Sequence, residues 1–204
     1  MGLLKLFFRA ARKSKRRTTR RTSVVITSKR TVYQSNDTQL SPVPESQKVR
    51  SAEDVERIQT LPSVKVGHVI DGDTVIVAST SSQVKVRLDS IDCPEYGQEW
   101  GDIATRGLIK LIGGKSVKLE VHGSDVHGRT LGTLFVYMQD KGEWQNVNER
   151  MVTLGHAWVI RLYYGHLPKL RQQKLNQLER WAKSKSVGLW KTENPAPPWK
   201  WRKS

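Results

Sequence analysis

The chain has 204 residues, a mean hydropathy of −0.55 and a formal net charge of +16. That length suits one ordinary domain with flanking segments, and a hydrophobic content of 37% leaves part of the chain outside a core. The lone cysteine, Cys93, excludes an internal disulfide framework and a CxxC zinc site, and no apolar run reaches the length of a membrane-spanning helix.

The positive charge is uneven. Residues 1–30 carry 11 Lys/Arg and no acidic residue, whereas residues 61–190 carry 17 basic against 13 acidic. A basic flank of this kind favours polyanions, either nucleic acid or an anionic membrane surface. The opening segment, MGLLKLFFRAARKSKRRTTRR, places its short apolar piece before its charges and breaks it with Lys5. A cleavable secretory signal has the opposite order. Leu6 also stands where a myristoylation signal after Gly2 wants Ser or Thr. A short amphipathic helix on a membrane or on nucleic acid competes with a solvated tail. Residues 13–60 are rich in Ser, Thr, Lys, Arg and Gln and are expected to be disordered. SPVPES, Ser41 to Ser46, reads as linker. An intracellular site is the default expectation, with membrane-surface association or export left open. A monomer is the expected state.

Residues 1–60 are thus read as a basic, polar tail and linker, and the folded domain is expected over 61–190. Val64, Val66 and Val69 begin a β-rich run, and Thr74 to Ala78 forms a second strand. QVKVRL, Gln83 to Leu88, alternates as a half-buried strand does, with STSS turning between the two. Ile103, Leu108, Leu111 and Ile112 predict a helix that ends at Gly113-Gly114. Val117, Leu119 and Val121 alternate again, and Leu131 to Val136 forms a strand after HGRT. Val147 to Leu154 predicts a short helix stopped by Gly155, and Leu170 to Lys183 a longer one with Val187 and Leu189 packing after it. PAPPWKWRK cannot continue a helix, so residues 191–204 are read as an irregular basic Trp/Pro-rich tail. Trp199 and Trp201 alternate with Lys200 and Arg202; they could stack on single-stranded bases, but folding back on the domain or remaining mobile is favoured. Five short strands with a helix after the third and helices at the end predict an α+β arrangement: a five-stranded Greek-key barrel of the OB kind with about three helices.

Four stretches carry candidate chemistry: Asp71-Gly72-Asp73-Thr74, Arg87 to Glu95 (RLDSIDCPE), Asp125 to Arg129 (DVHGR) and Asn146 to Glu149 (NVNE). Each has an ordinary reading. DGD is most often a turn, a strand arginine usually lies along the surface, Gly128 suits a positive φ, and Asn146 or Asn148 suits a helix cap. Together they are more specific. Asp71, Asp73, Asp92 and Glu95 offer hard oxygen ligands of the Ca²⁺ or Mg²⁺ kind and a possible base. Arg87 and Arg129 offer two planar forks for phosphate oxygens. Carboxylates, a hard cation and two arginines are the parts of a phosphodiester-cleaving site.

In these stretches, VIDGDTV, VRLDSIDCPE, DVHGRTLG and NVNERMVTLGHAWV, the chain resembles the staphylococcal nuclease family over about residues 64–190. The resemblance implies an OB-fold barrel and a Ca²⁺-dependent endonuclease acting on DNA and RNA, breaking the P–O5′ bond and leaving a 3′-phosphate. By position it implies that Asp73 and Asp92 are carboxylate ligands of one Ca²⁺, with the Cys93 backbone carbonyl as a further ligand and Asp71 shaping the pocket. It makes Glu95 the base or positioner of the attacking water, and Arg87 and Arg129 the phosphate-contacting arginines. Three departures touch substrate contacts more than chemistry. Cys93 replaces a threonine whose main chain is what matters. His127 stands where the family's type member has a tyrosine beside the substrate phosphate. The loop from Tyr96 to Gly101 is shorter than that member's lysine-rich loop. Of its two stacking aromatics only Tyr163 is kept, and Arg161 takes the other position. A catalytically silent OB module binding nucleic acid or a protein partner is the alternative, disfavoured by the completeness of the set.

Overall fold

In a computed structural model, residues 51–78 and 82–204 are described. The expectations for residues 1–50, including the basic tail and its polyanion contacts, lie outside these residues, as does most of the STSS turn.

Helix α1 (Ala52–Thr60) starts at a Ser51 cap whose side chain accepts from the Asp54 N–H at 3.0 Å. Glu53 and Asp54 occupy its first turn and Arg57 its last, each sign matched to the helix dipole. Ile58 is its buried anchor, and Arg57 pairs with Glu120 on the barrel. Residues 52–60 therefore belong to the folded part, which corrects the expectation of tail up to residue 60. One buried isoleucine, a cap and an ion pair outweigh the polar composition.

The strands β1 (Ser63–Val69), β2 (Thr74–Ala78) and β3 (Gln83–Leu88) form an antiparallel meander. A two-residue strand β4 (Ile91–Asp92) and helix α2 (Gly101–Ile112) follow, then β5 (Ser116–Ser124), β6 (Thr130–Met138) and β7 (Glu143–Asn146). The order across the sheet is β3-β2-β1-β5-β6-β7. Parallel pairing of β3 with β6, Val86 opposite Thr130 and Leu88 opposite Gly132, closes the first five into a barrel and leaves β7 on its rim. This is the expected OB-type barrel with one strand added. Helix α3 (Val147–Thr153), strand β8 (Trp158–Val159) and helix α4 (Lys169–Ser184) complete the domain, with β8 pairing β4.

Inward valines and leucines of the strands fill the barrel: Val66, Val75, Val77, Val86, Leu88 and Leu134 are all buried. Leu108 and Ile112 of α2, Met151 of α3 and Leu175 and Leu178 of α4 cover them. Each such side chain contributes about 1.5–3 kcal/mol on burial. Asn146 caps α3, accepting from the Glu149 N–H. Asn148 does not cap. It is buried and ties β6 to the turn after β3, accepting from Leu134 N–H and donating to Asp89 and Gly132 carbonyls.

The C-terminal segment differs from the irregular tail that its prolines predict. A 3-10 turn (Gly188–Lys191) leads to a one-turn helix, α5 (Pro198–Trp201). Pro198 cannot extend an earlier helix but fits the start of a new one. Trp199 packs edge-on against Trp158, ring centroids 6.3 Å apart, and Gln98 donates to the Ala196 carbonyl at 2.7 Å. Residues 191–204 thus continue the domain surface. Among the described residues no helix is long and apolar enough to cross a membrane.

Candidate active site

The DGD stretch turns β1 into β2. The Ile70 N–H donates to the Thr74 carbonyl, and the Asp71 carboxylate accepts from the Asp73 N–H at 3.0 Å. The turn and the site are the same object: Asp71 stabilises the loop that presents Asp73. Gly72 is needed for closeness, not for turning. Its φ is not in the left-handed region, but a Cβ there would meet Cys93 Cβ at 2.7 Å and Ala104 Cβ at 2.9 Å.

Asp73 is almost fully buried. Its carboxylate accepts from the Cys93 N–H at 2.7 Å and lies 3.1 Å from Arg87 Nε. Burial pushes its pKa up to about 7 against the pull of Arg87, with Asp71 and Asp92 adding repulsion. Arg87, also largely buried, donates to the Leu88 and Ile91 carbonyls at 2.7 and 2.8 Å and to Asp92 at 2.7 Å. One planar fork thereby fixes the β3–β4 turn and bridges both buried carboxylates.

Glu95 sits where the chain leaves β4. Its N–H donates to Gln98 Oε1 at 2.9 Å, and Gly101 lies so close that a Cβ there would collide with the Glu95 carbonyl. Across the cleft, the β5–β6 turn is built on Asp125. It accepts from the N–H groups of His127 and Arg129 and from Arg129 Nε, while Gly128 takes φ 74°. Slight desolvation works against the Asp125 carboxylate, but these hydrogen bonds hold its pKa below the ordinary value. Asp125 aims Arg129 as a dedicated orienting partner.

A cleft of about 970 Å³ is lined by Asp71, Asp73, Arg87, Asp92, Glu95, His127, Arg129 and Tyr163. All the expected site residues except Cys93 therefore share one concavity. Cys93 lies behind it; its N–H holds Asp73 and its thiol donates to the Gly72 carbonyl at 3.2 Å. His127 and Tyr163 are exposed on the wall.

One residue of the cleft was offered by the sequence only as a cation alternating with Trp199 and Trp201, with nothing to join it to the carboxylates. Arg202, just beyond α5, donates to Asp92 at 2.8 Å and to Glu95. Four carboxylates, Asp71, Asp73, Asp92 and Glu95, thus share the cleft with three guanidinium groups, and Arg129 is already held by Asp125, which leaves negative charge that a divalent cation would balance. The donors are all oxygen, the chemistry that Ca²⁺ takes. Arg87 bridges Asp73 to Asp92, and Arg202 bridges Asp92 to Glu95. Among the described residues, the group of three donors lying within 4.8 Å of one another is a different one, Asp89, His122 and His166, on another wall of the same cleft. It went unread in the sequence, because its members come from three separate elements.

A family model described as "Staphylococcal nuclease homologue" matches residues 85–192. The chain is 37% identical to Protein ParB of Escherichia coli over 142 residues, 68% of this chain and 78% of that protein. It is 36% identical to a micrococcal nuclease of Shigella flexneri over 143 residues, 69% of this chain and 80% of that protein. An uncharacterized endonuclease of Escherichia coli O157:H7 is 37% identical over 140 residues, 68% of this chain and 83% of that protein.

Proposed function

The chain belongs to the staphylococcal nuclease family, a family of hydrolytic nucleases, and we propose that it is a Ca²⁺-dependent endonuclease acting on DNA and RNA. The observation that carries the reading is the gathering of Asp73, Asp92, Glu95, Arg87 and Arg129 around one cleft. Asp73 and Asp92 would hold the ion, with the Cys93 carbonyl as a further ligand and Asp71 shaping the loop. The ion would supply positive charge at the phosphoryl oxygen and lower the pKa of bound water.

The chain's own groups do the rest. Glu95 accepts a proton from the attacking water, or orients it, as the water oxygen bonds to phosphorus. Arg87 and Arg129 stabilise the added negative charge of the phosphorane, which grows toward the transition state. The P–O5′ bond then breaks, O5′ takes a proton from solvent, and a 3′-phosphate remains. His127 and Tyr163 would flank the substrate, Tyr163 stacking on a base.

Arg202 favours a second reading. Its hold on Asp92 and Glu95 suits a module that binds nucleic acid without cutting it. Digestion of plasmid and of RNA with Ca²⁺, Mg²⁺ or EDTA separates the two. Cleavage with Ca²⁺ that EDTA abolishes is expected, together with a loss of roughly 10²–10⁴-fold in Glu95→Gln. Equal cutting in EDTA would overturn the role of the ion, full activity of Glu95→Gln that of the glutamate, and no cutting under any condition would leave the binding module.

A further inference from the structure

We propose that Asp89, His122 and His166 form a second cation site, for a borderline divalent ion of the Zn²⁺ class. Asp89 follows β3, His122 lies in β5, and His166 precedes α4. Each offers one ligand atom, and these atoms lie within 4.8 Å of one another. Asp89 Oδ2 is 2.8 Å from His166 Nε2, and the two histidine rings are 5.1 Å apart between centroids. Bonds of about 2.0–2.2 Å in a tetrahedral arrangement set donors about 3.4 Å apart, so small side-chain movements complete the geometry.

The donor chemistry separates this site from the carboxylates across the cleft. Two imidazoles and one carboxylate suit Zn²⁺ and its borderline neighbours, whereas an all-oxygen set suits Ca²⁺. The surroundings are those of a ligand set. Asp89 is 3% exposed and its Oδ2 also accepts from Ser90 Oγ at 2.7 Å, which fixes the carboxylate. Thr133 Oγ1 lies 2.9 Å from His122 Nε2 and offers a hydroxyl beside the site. A hydrogen bond between Asp89 and His166 would account for those two residues alone. His122, whose Nε2 also lies 3.9 Å from Glu120 Oε2, brings a third donor to that pair. All three line the cleft, so a fourth coordination position would open to water or to a phosphate oxygen.

The inference shares no ligand with the proposed Ca²⁺ site and does not rest on nuclease activity. Its test is binding of Zn²⁺ alone to the metal-stripped full chain, by titration calorimetry, with Co²⁺ absorbance reporting coordination number. One Zn²⁺ per chain is expected in wild type and equally in Asp92→Asn. His122→Ala and His166→Ala should each weaken it by at least the roughly 10–100-fold that loss of an outer-sphere partner costs. The intense visible bands of low-coordinate Co²⁺ should vanish in both. His166 is well exposed, so its variant keeps the test valid if His122→Ala unfolds. Absence of stoichiometric binding, binding indifferent to the histidine variants, or binding lost in Asp92→Asn would overturn the assignment.

Discussion

His156 shows how one ring links packing to pH. Its Nδ1 is buried without a hydrogen-bond partner, and α2 approaches it so closely that a Cβ at Gly107 would lie 2.5 Å from the ring. Burial, helped by the charge of Arg150, lowers its pKa from 6.5 to about 4. A histidine that stays neutral in the fold but charges in the unfolded chain stabilises above its unfolded pKa. That contribution is lost as pH falls from 6.5 toward 4. Between pH 7 and pH 5 it amounts to about 2 kcal/mol. Asp73 runs the other way: its raised pKa makes the fold bind a proton more tightly, so its contribution falls as pH rises from about 4 to 7. Denaturant melts of wild type and His156→Phe at both pH values isolate the histidine. Wild type should lose about 2 kcal/mol more than the variant on acidification, and parallel profiles would remove this account.

Among the elements, the β1–β2 hairpin is pressed against β4 and α2 through Gly72. A methyl group there has nowhere to go, since Cys93 Cβ and Ala104 Cβ already stand within 3 Å of its position. Gly72→Ala should therefore cost about 1–3 kcal/mol, read as a lower urea midpoint with an unchanged slope. A midpoint equal to that of wild type would mean that the hairpin moves freely. The fold's elements were legible where local pattern decides them. QVKVRL alternates and is β3, Gly113-Gly114 ends α2, and Asn146 caps α3. The sequence also named the carboxylates and arginines of the cleft, because each sits in a short stretch of recognisable order. The turn at DGD was legible, but the need for a glycine at position 72 was not, since contact with Cys93 and Ala104 is set by packing rather than by neighbours in the chain. The cluster of Asp89, His122 and His166 was missed for a similar reason: no local spacing links a turn, a strand and a loop. α1 and α5 were lost to composition, where a few anchors outweigh many polar residues.

At the scale of the whole domain, the segment after α5 lies over the candidate chemistry. Arg202 lies 110 residues from Asp92 and reaches it because Gln98 and Trp158 hold the segment before it. A guanidinium on Asp92 and Glu95 competes with any cation that needs the same oxygens. Its side chain is 48% exposed, so the pair contributes at most about 1 kcal/mol. Arg202→Ala should accordingly raise Ca²⁺ affinity by up to about fivefold in titration calorimetry, without altering the melting temperature greatly. Unchanged affinity would mean that the arginine yields its place without competing.

The parallel pairing of β3 with β6 also fixes an order of events in synthesis. The residues that close the barrel, Val86 to Leu88 and Thr130 to Gly132, are separated by a helix and a full strand. Until residue 132 has left the ribosome, β3 presents a free row of backbone donors and acceptors, the kind of edge that recruits strands from other chains. α2 and β5 must therefore emerge while that edge is open. The barrel acquires its seam only once β6 is available to pair with β3.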